Sequence, residues 1–409
     1  MKVTMVIPSY WGRAGKSGWR AGDAVYDHPT PLDAEGTLRR AVQSLDVLKA
    51  TDFRLVVIAV ATASDIESQV EQRVAEIIKS ASLKNGVSVL LFGASHLREI
   101  NRLLASTGQQ DYSGLLKLSG YSDVRNMCLF LPHILGSEVA VLIDDDEVFE
   151  DPEFLTKATA FIGKEIDGKT VHAVAGYYLQ PDGDFHVKKQ LRPWEETWGQ
   201  YPLMNEAFDR FIAGGPRLKE VPFVFGGNMV VHRDLFTVVP FDPGVIRGED
   251  IDFLIGARMF GFTFFLDNQL AIKHLPPPKT HPAWQQLRQD IQRFVYEKAK
   301  IDSQQPAAEM RRVRAAELDP YPGGFLKDDL PERIERSCRL LSEEYAHRGD
   351  TVGAEESLNN IALARDAVPQ DDPFRRLRET QRRWQELMRD TAQSEARLPF
   401  REIIEGKQP

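Results

Sequence analysis

Up to Ile143 the apolar residues fall into short, nearly continuous runs separated by stretches with helical spacing. Val3 to Ile7, closed by Pro8, and Phe53 to Ala61 read as strands buried on both faces, as in a parallel sheet. Between them Leu38, Val42, Leu45 and Leu48 recur at helical spacing, which predicts one βαβ unit. Val70, Val74, Ile77 and Ile78 predict a second helix, Val87 to Phe92 a third strand and Leu97 to Leu104 a further helical stretch. Val139 to Ile143 is a fully apolar strand that runs straight into Asp144-Asp145-Asp146-Glu147. Alternation of this kind predicts an α/β fold with a mostly parallel sheet flanked by helices.

Farther along, Val171 to Leu179 predicts another strand, and the chain is strand- and glycine-rich again from Val221 to Leu275. From Pro282 it turns helical and charged. The shift predicts a catalytic unit over 1–300 and a helical C-terminal extension over 301–409, with packing on the first unit, a homodimer or the holding of a partner as the extension's roles. No internal repeat or low-complexity tract interrupts the chain.

Composition narrows the class. The chain has 409 residues, 42% hydrophobic and 27% charged, close to the globular average. A formal net charge of -9 disfavours broad binding to nucleic acid or anionic lipid, because no excess of Lys and Arg is present to displace counterions. The longest apolar runs are strand-sized, so no membrane span is expected. The opening MKVTMVIPSY lacks the apolar length and cleavage site of a signal peptide. Only Cys128 and Cys338 are present, too few for a disulfide framework, so a reducing cytoplasm is the expected location.

The chemistry-bearing residues sit at element ends. Ligands bind beyond the carboxyl ends of strands in such sheets, which places the acidic cluster where a site is expected. In an extended segment Asp144 and Asp146 point to one side and Asp145 to the other, so the first and third can share a divalent cation. Such a cation neutralises charge developing on a leaving diphosphate. Gly226-Gly227-Asn228, before the strand Met229 to Val231, is either a tight turn or a place where backbone approaches a ligand closely. Glu249 and Asp250 open a helical pattern carried by Ile251, Leu254, Ile255 and Met259. They either cap that helix or supply a general base. His274 is either structural or the nitrogen donor that completes a metal site. Arg125-Asn126 reaches a phosphate or base edge, or caps a helix. Gly12-Arg13-Ala14-Gly15-Lys16-Ser17 contains GKS, but two residues separate its glycines where a phosphate-cradling loop has four. Arg13, Lys16 or Arg20 remain as basic groups able to help hold a diphosphate.

In their order along the chain these segments resemble the GT-A glycosyltransferases, the family 2 group and its neighbours in particular. VTMVIPSYWGR is similar to that family's opening strand, Arg125-Asn126 to its segment before the DxD strand, and VLIDDDEVFEDPEFL to the DxD strand itself. GGNMVVHRDLF and FDPGVIRGEDIDFLIGARMFGF resemble its glycine pair and ED motif. The resemblance spans roughly 1–280 and implies a Rossmann-like GT-A fold and a Mn²⁺- or Mg²⁺-dependent, inverting hexosyl transfer from a UDP- or GDP-sugar to an acceptor hydroxyl. It implies Asp144, Asp146 and His274 at the metal and Asp250, with Glu249 beside it, as base. Pro8, Tyr10, Arg125, Asn126, Asp145, Gly226, Gly227 and Asn228 fall on the donor side. A retaining relative that makes a small glycosylated solute, or a degenerate nucleotide-binding scaffold, are the alternatives. Trp194, Trp198 and Tyr201 either stack a sugar face or pack in a core. Where the family often carries a VDDGS-like segment whose Asp holds the nucleobase, this chain reads Ala61-Thr62-Ala63-Ser64-Asp65.

Overall fold

The computed structural model describes residues 1–15, 19–81, 83–84, 86–279 and 281–406; Lys16 and Ser17 of the basic loop lie outside them. Among the described residues seven longer strands form the sheet: β1 (Val3–Gly12), β2 (Arg54–Ala61), β3 (Ser88–Phe92), β4 (Val139–Ile143), β5 (Ala173–Leu179), β6 (Asn228–His232) and β7 (Phe264–His274). Their order is β3-β2-β1-β4-β6-β5-β7, with the short strand Leu218–Glu220 beyond β7. The first four are mutually parallel, as the unbroken apolar runs predict. β6 is antiparallel to both β4 and β5, so the sheet is mixed in its second half.

Helices α1 (Leu38–Ser44), α2 (Glu67–Ala81), α3 (Ala94–Ser106) and α4 (Tyr121–Ile134) are the crossovers between the parallel strands. Strand alternation sorts the side chains into two cores: Met5, Ile7, Leu55 and Val57 face α1 and α2, whereas Val6, Val56 and Ile58 face α4. β1 does not stop at Pro8. It stays in register with β2 through Trp11, while its pairing with β4 ends at Val6 and Leu142. The imide nitrogen of Pro8 therefore lies where β1 and β4 have parted and no ladder bond is lost. That parting opens the carboxyl end of the sheet.

α5 (Glu249–Met259) follows the glycine-rich return, and α6 (Ala283–Asp302) leads into α7 (Leu330–His347), α8 (Thr351–Asp366), α9 (Pro373–Asp390) and α10 (Ser394–Gly406). The expected boundary at residue 300 falls inside α6, whose Leu287, Ile291 and Phe294 are buried at helical spacing. The later helices share the α4-side core through Cys338, Trp384, Phe400 and Ile404. Trp384 Nε1 donates to the Phe236 carbonyl at 2.8 Å, and His133 Nε2 meets Thr391 Oγ1 at 3.0 Å. No described helix is long and apolar enough to cross a membrane.

Candidate active site

The parted strands open into a cavity of roughly 430 Å³ walled by Pro8, Tyr10, Arg125, Asp144, Asp145, Asp146, Gly226, Glu249, Asp250 and His274, among others. Residues from β1, α4, the end of β4, the turn before β6, the start of α5 and the end of β7 thus meet at the strand carboxyl ends.

The three aspartates after β4 have separate partners. Asp144 Oδ1 accepts from Arg125 Nη2 at 2.7 Å, and Arg125 Nε also donates to Glu249 Oε1 at 3.2 Å. Asp145 turns inward and accepts from Ser9 Oγ, which in turn accepts from Trp11 Nε1 at 2.9 Å. Burial, reinforced by Asp146 beside it, pushes the Asp145 carboxyl up to about 8. Asp146 Oδ2 lies 3.4 Å from His274 Nε2. Burial would raise Asp146, but His274 and His28 hold it below the usual carboxylate range. His274 arrives there because the two-residue strand Glu147–Val148 pairs antiparallel with the end of β7, setting His274 opposite Glu147. The imidazole stacks on Tyr178 with ring centres 4.7 Å apart, which fixes its plane.

In the same lining, Asp250 accepts from the Gly226 N–H at 3.0 Å through Oδ2 and from the Ile251 N–H at 2.8 Å through Oδ1. One bond to each oxygen leaves lone pairs free and the carboxylate rigid. Glu249 is buried deeper. Burial raises it to about 7, with the Arg125 guanidinium opposing the rise and Asp250 adding to it.

Both glycines of the pair are required by close packing. A Cβ on Gly227 would lie 2.2 Å from Glu147 Oε1 and 2.7 Å from Asp144 Cγ; one on Gly226 would lie 2.8 Å from Arg125 Nη2 and 3.3 Å from Asp250 Cβ. The close approach is therefore to the site's own charged side chains. Arg125 Nη1, Arg293 Nη2 and Tyr10 Oη are buried with no hydrogen-bond partner among the described residues. Such donors are satisfied by a ligand or by water.

Among the described residues no group of three or more His, Cys, Asp or Glu side chains forms a ready-made metal cage. The Asp146 carboxylate and His274 nitrogen nevertheless face one another at the cavity wall, with Asp144 nearby. That donor set fits Mg²⁺ or Mn²⁺ bound by one or two carboxylates and completed by substrate phosphates, a mode that needs no all-protein cage.

No family model matches the chain. No curated protein matches it either. Among solved structures, the chain is similar to the mannosyltransferase PcManGT from Pyrobaculum calidifontis in complex with GDP-Man and Mn²⁺, at 14% identity and a TM-score of 0.47, over 96% of this chain and 86% of that one. It is also similar to glucosyl-3-phosphoglycerate synthase from Mycobacterium tuberculosis in complex with Mn²⁺ and UDP-glucose, at 12% identity and a TM-score of 0.35, over 72% of this chain and 77% of that one. Likenesses at this level carry no residue correspondence.

Of the residues singled out from sequence, Asn126 and Asn228 do not reach the cavity wall. Asn126 bridges to both the N–H and the carbonyl of Phe241, at 2.8 and 3.0 Å. Asn228, fully buried, donates to the carbonyls of Tyr177 and Leu270, filling the irregularity where β5 and β7 shift register. Both satisfy backbone groups in the sheet and its loops. Gly227 lies behind the wall, under Asp144. Arg13 is fully engaged by Asp23 and Asp65, so it is not a free basic group. Trp194 and Trp198 are core residues. Sequence reasoning passed over Arg247, which bridges Asp27 and Asp290 at 3.0 and 3.2 Å, and Tyr178, and it took His28 for a lone histidine without a metal-ligand partner; Tyr178 and His28 also line the cavity. Arg247 stood next to the ED pair in the motif; Tyr178 gave no signal beyond strand alternation.

Proposed function

We propose that this chain is a glycosyltransferase with a GT-A-type catalytic unit, moving a hexose from a UDP- or GDP-sugar to an acceptor hydroxyl with inversion. The observation that carries the reading is the convergence, in the lining of one cavity, of the Asp144, Asp146 and His274 group and the fixed carboxylate of Asp250. Asp146 and His274, with Asp144, are the residues that would hold Mn²⁺ or Mg²⁺ on the DxD-like strand end. When bound, that ion supplies positive charge to the departing diphosphate. The acceptor oxygen bonds to the anomeric carbon, its proton passes to Asp250, and the bond to the nucleoside diphosphate breaks with its electron pair leaving on that group. Arg125 Nη1 is the chain's own donor for an anionic oxygen. Cys128 and Cys338 are both free and buried, which supports action in a reducing compartment such as the cytoplasm.

The test is Asp250→Asn. Loss of a general base lowers turnover by about 10²- to 10⁴-fold, with donor binding kept, and retained turnover sinks the assignment. Product NMR assigns the anomeric configuration, and retention would replace the base role with the retaining alternative. One observation favours a nucleotide-binding scaffold instead: Asp144 is already neutralised by Arg125. Donor binding without transfer or donor hydrolysis would select that reading.

A further inference from the structure

The first turn of α5, which carries Glu249 and Asp250, is held from behind by charges on α6. Lys300 is fully buried; its Nζ lies 3.0 Å from Asp242 Oδ2 and also forms an ion pair with Asp252. Asp252 belongs to the same helical turn as Asp250, and its N–H donates to the Gly248 carbonyl at 3.1 Å. Asp242 starts the loop that leads into Gly248. Its Oδ2 also accepts from Tyr296 Oη at 3.0 Å, and its Oδ1 from the Gly244 N–H at 2.9 Å. Two turns before Lys300 on α6, Arg293 pairs with Glu297 at 2.9 Å and lies against Gly248, where a Cβ would come within 2.1 Å of the guanidinium. Gly248 has φ +71°, in the left-handed region, so the turn into α5 combines a glycine-only conformation with a glycine-only contact. On its other side the same loop is fastened to α4 by Asn126 on Phe241 and by Ser122 Oγ on the Val245 carbonyl, at 2.7 Å.

A lysine with two carboxylates in a dry interior is a poor device for stability alone, since apolar or neutral replacements of such groups are commonly neutral or stabilising. What the network does fix is direction: the ammonium joins helix and loop on either side of the Gly248 turn, which sets where Asp250 points. We propose that Lys300 is a positioning residue for the Asp250 carboxylate, acting through Asp252 and Asp242, so that α6 is part of the reaction machinery. The inference rests on the reading of Asp250 as base.

Lys300→Met alone leaves two buried carboxylates uncompensated and is expected to destabilise the fold. The informative protein is the double variant Lys300→Met, Asp252→Asn, which leaves Asp242 with Tyr296 and Gly244. Amide hydrogen exchange, thermal midpoint and steady-state kinetics are measured on it and on the unaltered chain. The thermal midpoint should stay within a few degrees. Exchange at the Gly226 and Ile251 amides, the two donors to Asp250, should quicken at least about tenfold, with the amides of Val6 and Ile7 unchanged. The kcat should fall by at least about tenfold at a donor KM within about twofold, as misplacement of a reacting group predicts. Unchanged exchange at both amides, or unchanged kcat, overturns the proposal. A chain that transfers no sugar even when unaltered overturns the transferase reading instead, and the exchange result then still decides whether Lys300 positions Asp250.

Discussion

Replacing Arg125 with methionine removes one guanidinium and strands two carboxylates. Arg125 has 5% of its side chain exposed and Glu249 8%, while Asp144 retains 29% at the cavity wall. The desolvated partner is therefore chiefly Glu249, and the expected cost of breaking the pair is about 3–5 kcal/mol at pH 8. The loss must depend on pH. With Arg125 present, burial already lifts Glu249 from its ordinary 4.5 to about 7, against the opposing pull of the guanidinium; without Arg125 it lies higher still. A carboxyl whose folded pKa is raised favours the folded state below the unfolded pKa and loses that contribution as pH rises through the folded value. Between about pH 4.5 and 7 both chains lose stability through Glu249 at the same rate, so the variant's deficit is flat there; above about 7 it grows by about 1.4 kcal/mol per pH unit until the variant's higher folded value is reached. Urea unfolding of both proteins at pH 5 and pH 8 measures it. A deficit below about 1 kcal/mol at pH 8, or one equal at the two pH values, refutes the assignment of Arg125 as the charge holding the site's carboxylates.

Gly227→Ala places a methyl group 2.2 Å from Glu147 Oε1 and 2.7 Å from Asp144. It should lower stability by about 1–3 kcal/mol and weaken nucleotide binding. Gly214→Ala, where a Cβ meets nothing within 4 Å, serves as the control, and calorimetric melting compares the two. His133 is buried, and burial, with Arg397 and Arg233 adding to it, depresses its pKa from 6.5 to about 4. A depressed histidine gives stability above its unfolded pKa that disappears as pH falls through the folded one. About 3 kcal/mol should therefore be lost between pH 6.5 and 4, and His133→Gln should flatten that part of the urea-unfolding profile.

Strands buried on both faces announce themselves by composition, which is why β1, β2 and β4 were legible and why the aspartates after β4 could be placed at the sheet's carboxyl end. Partners were not legible. Arg125 meets Asp144 19 residues on and Glu249 124 residues on, a convergence set by tertiary packing that no local pattern encodes. Asn126 and Asn228 were visible as polar residues in apolar surroundings, but an amide satisfies a buried carbonyl as readily as a ligand, and only the register shift between β5 and β7 decides for Asn228. The shift to charged composition near residue 300 reflects the exposed faces of the later helices. Their buried stripes, including Leu341, Leu377 and Trp384, join the core under the sheet, so the change in composition marks no break in packing.

The central claim is tested most directly by titrating the protein calorimetrically with UDP, GDP and their hexose conjugates, with and without Mn²⁺, beside the Asp146→Ala variant. Binding of one nucleotide that requires the ion in the unaltered protein and is lost in the variant is the predicted result. Nucleotide binding indifferent to both the ion and Asp146, or no binding of any of these ligands, would contradict it.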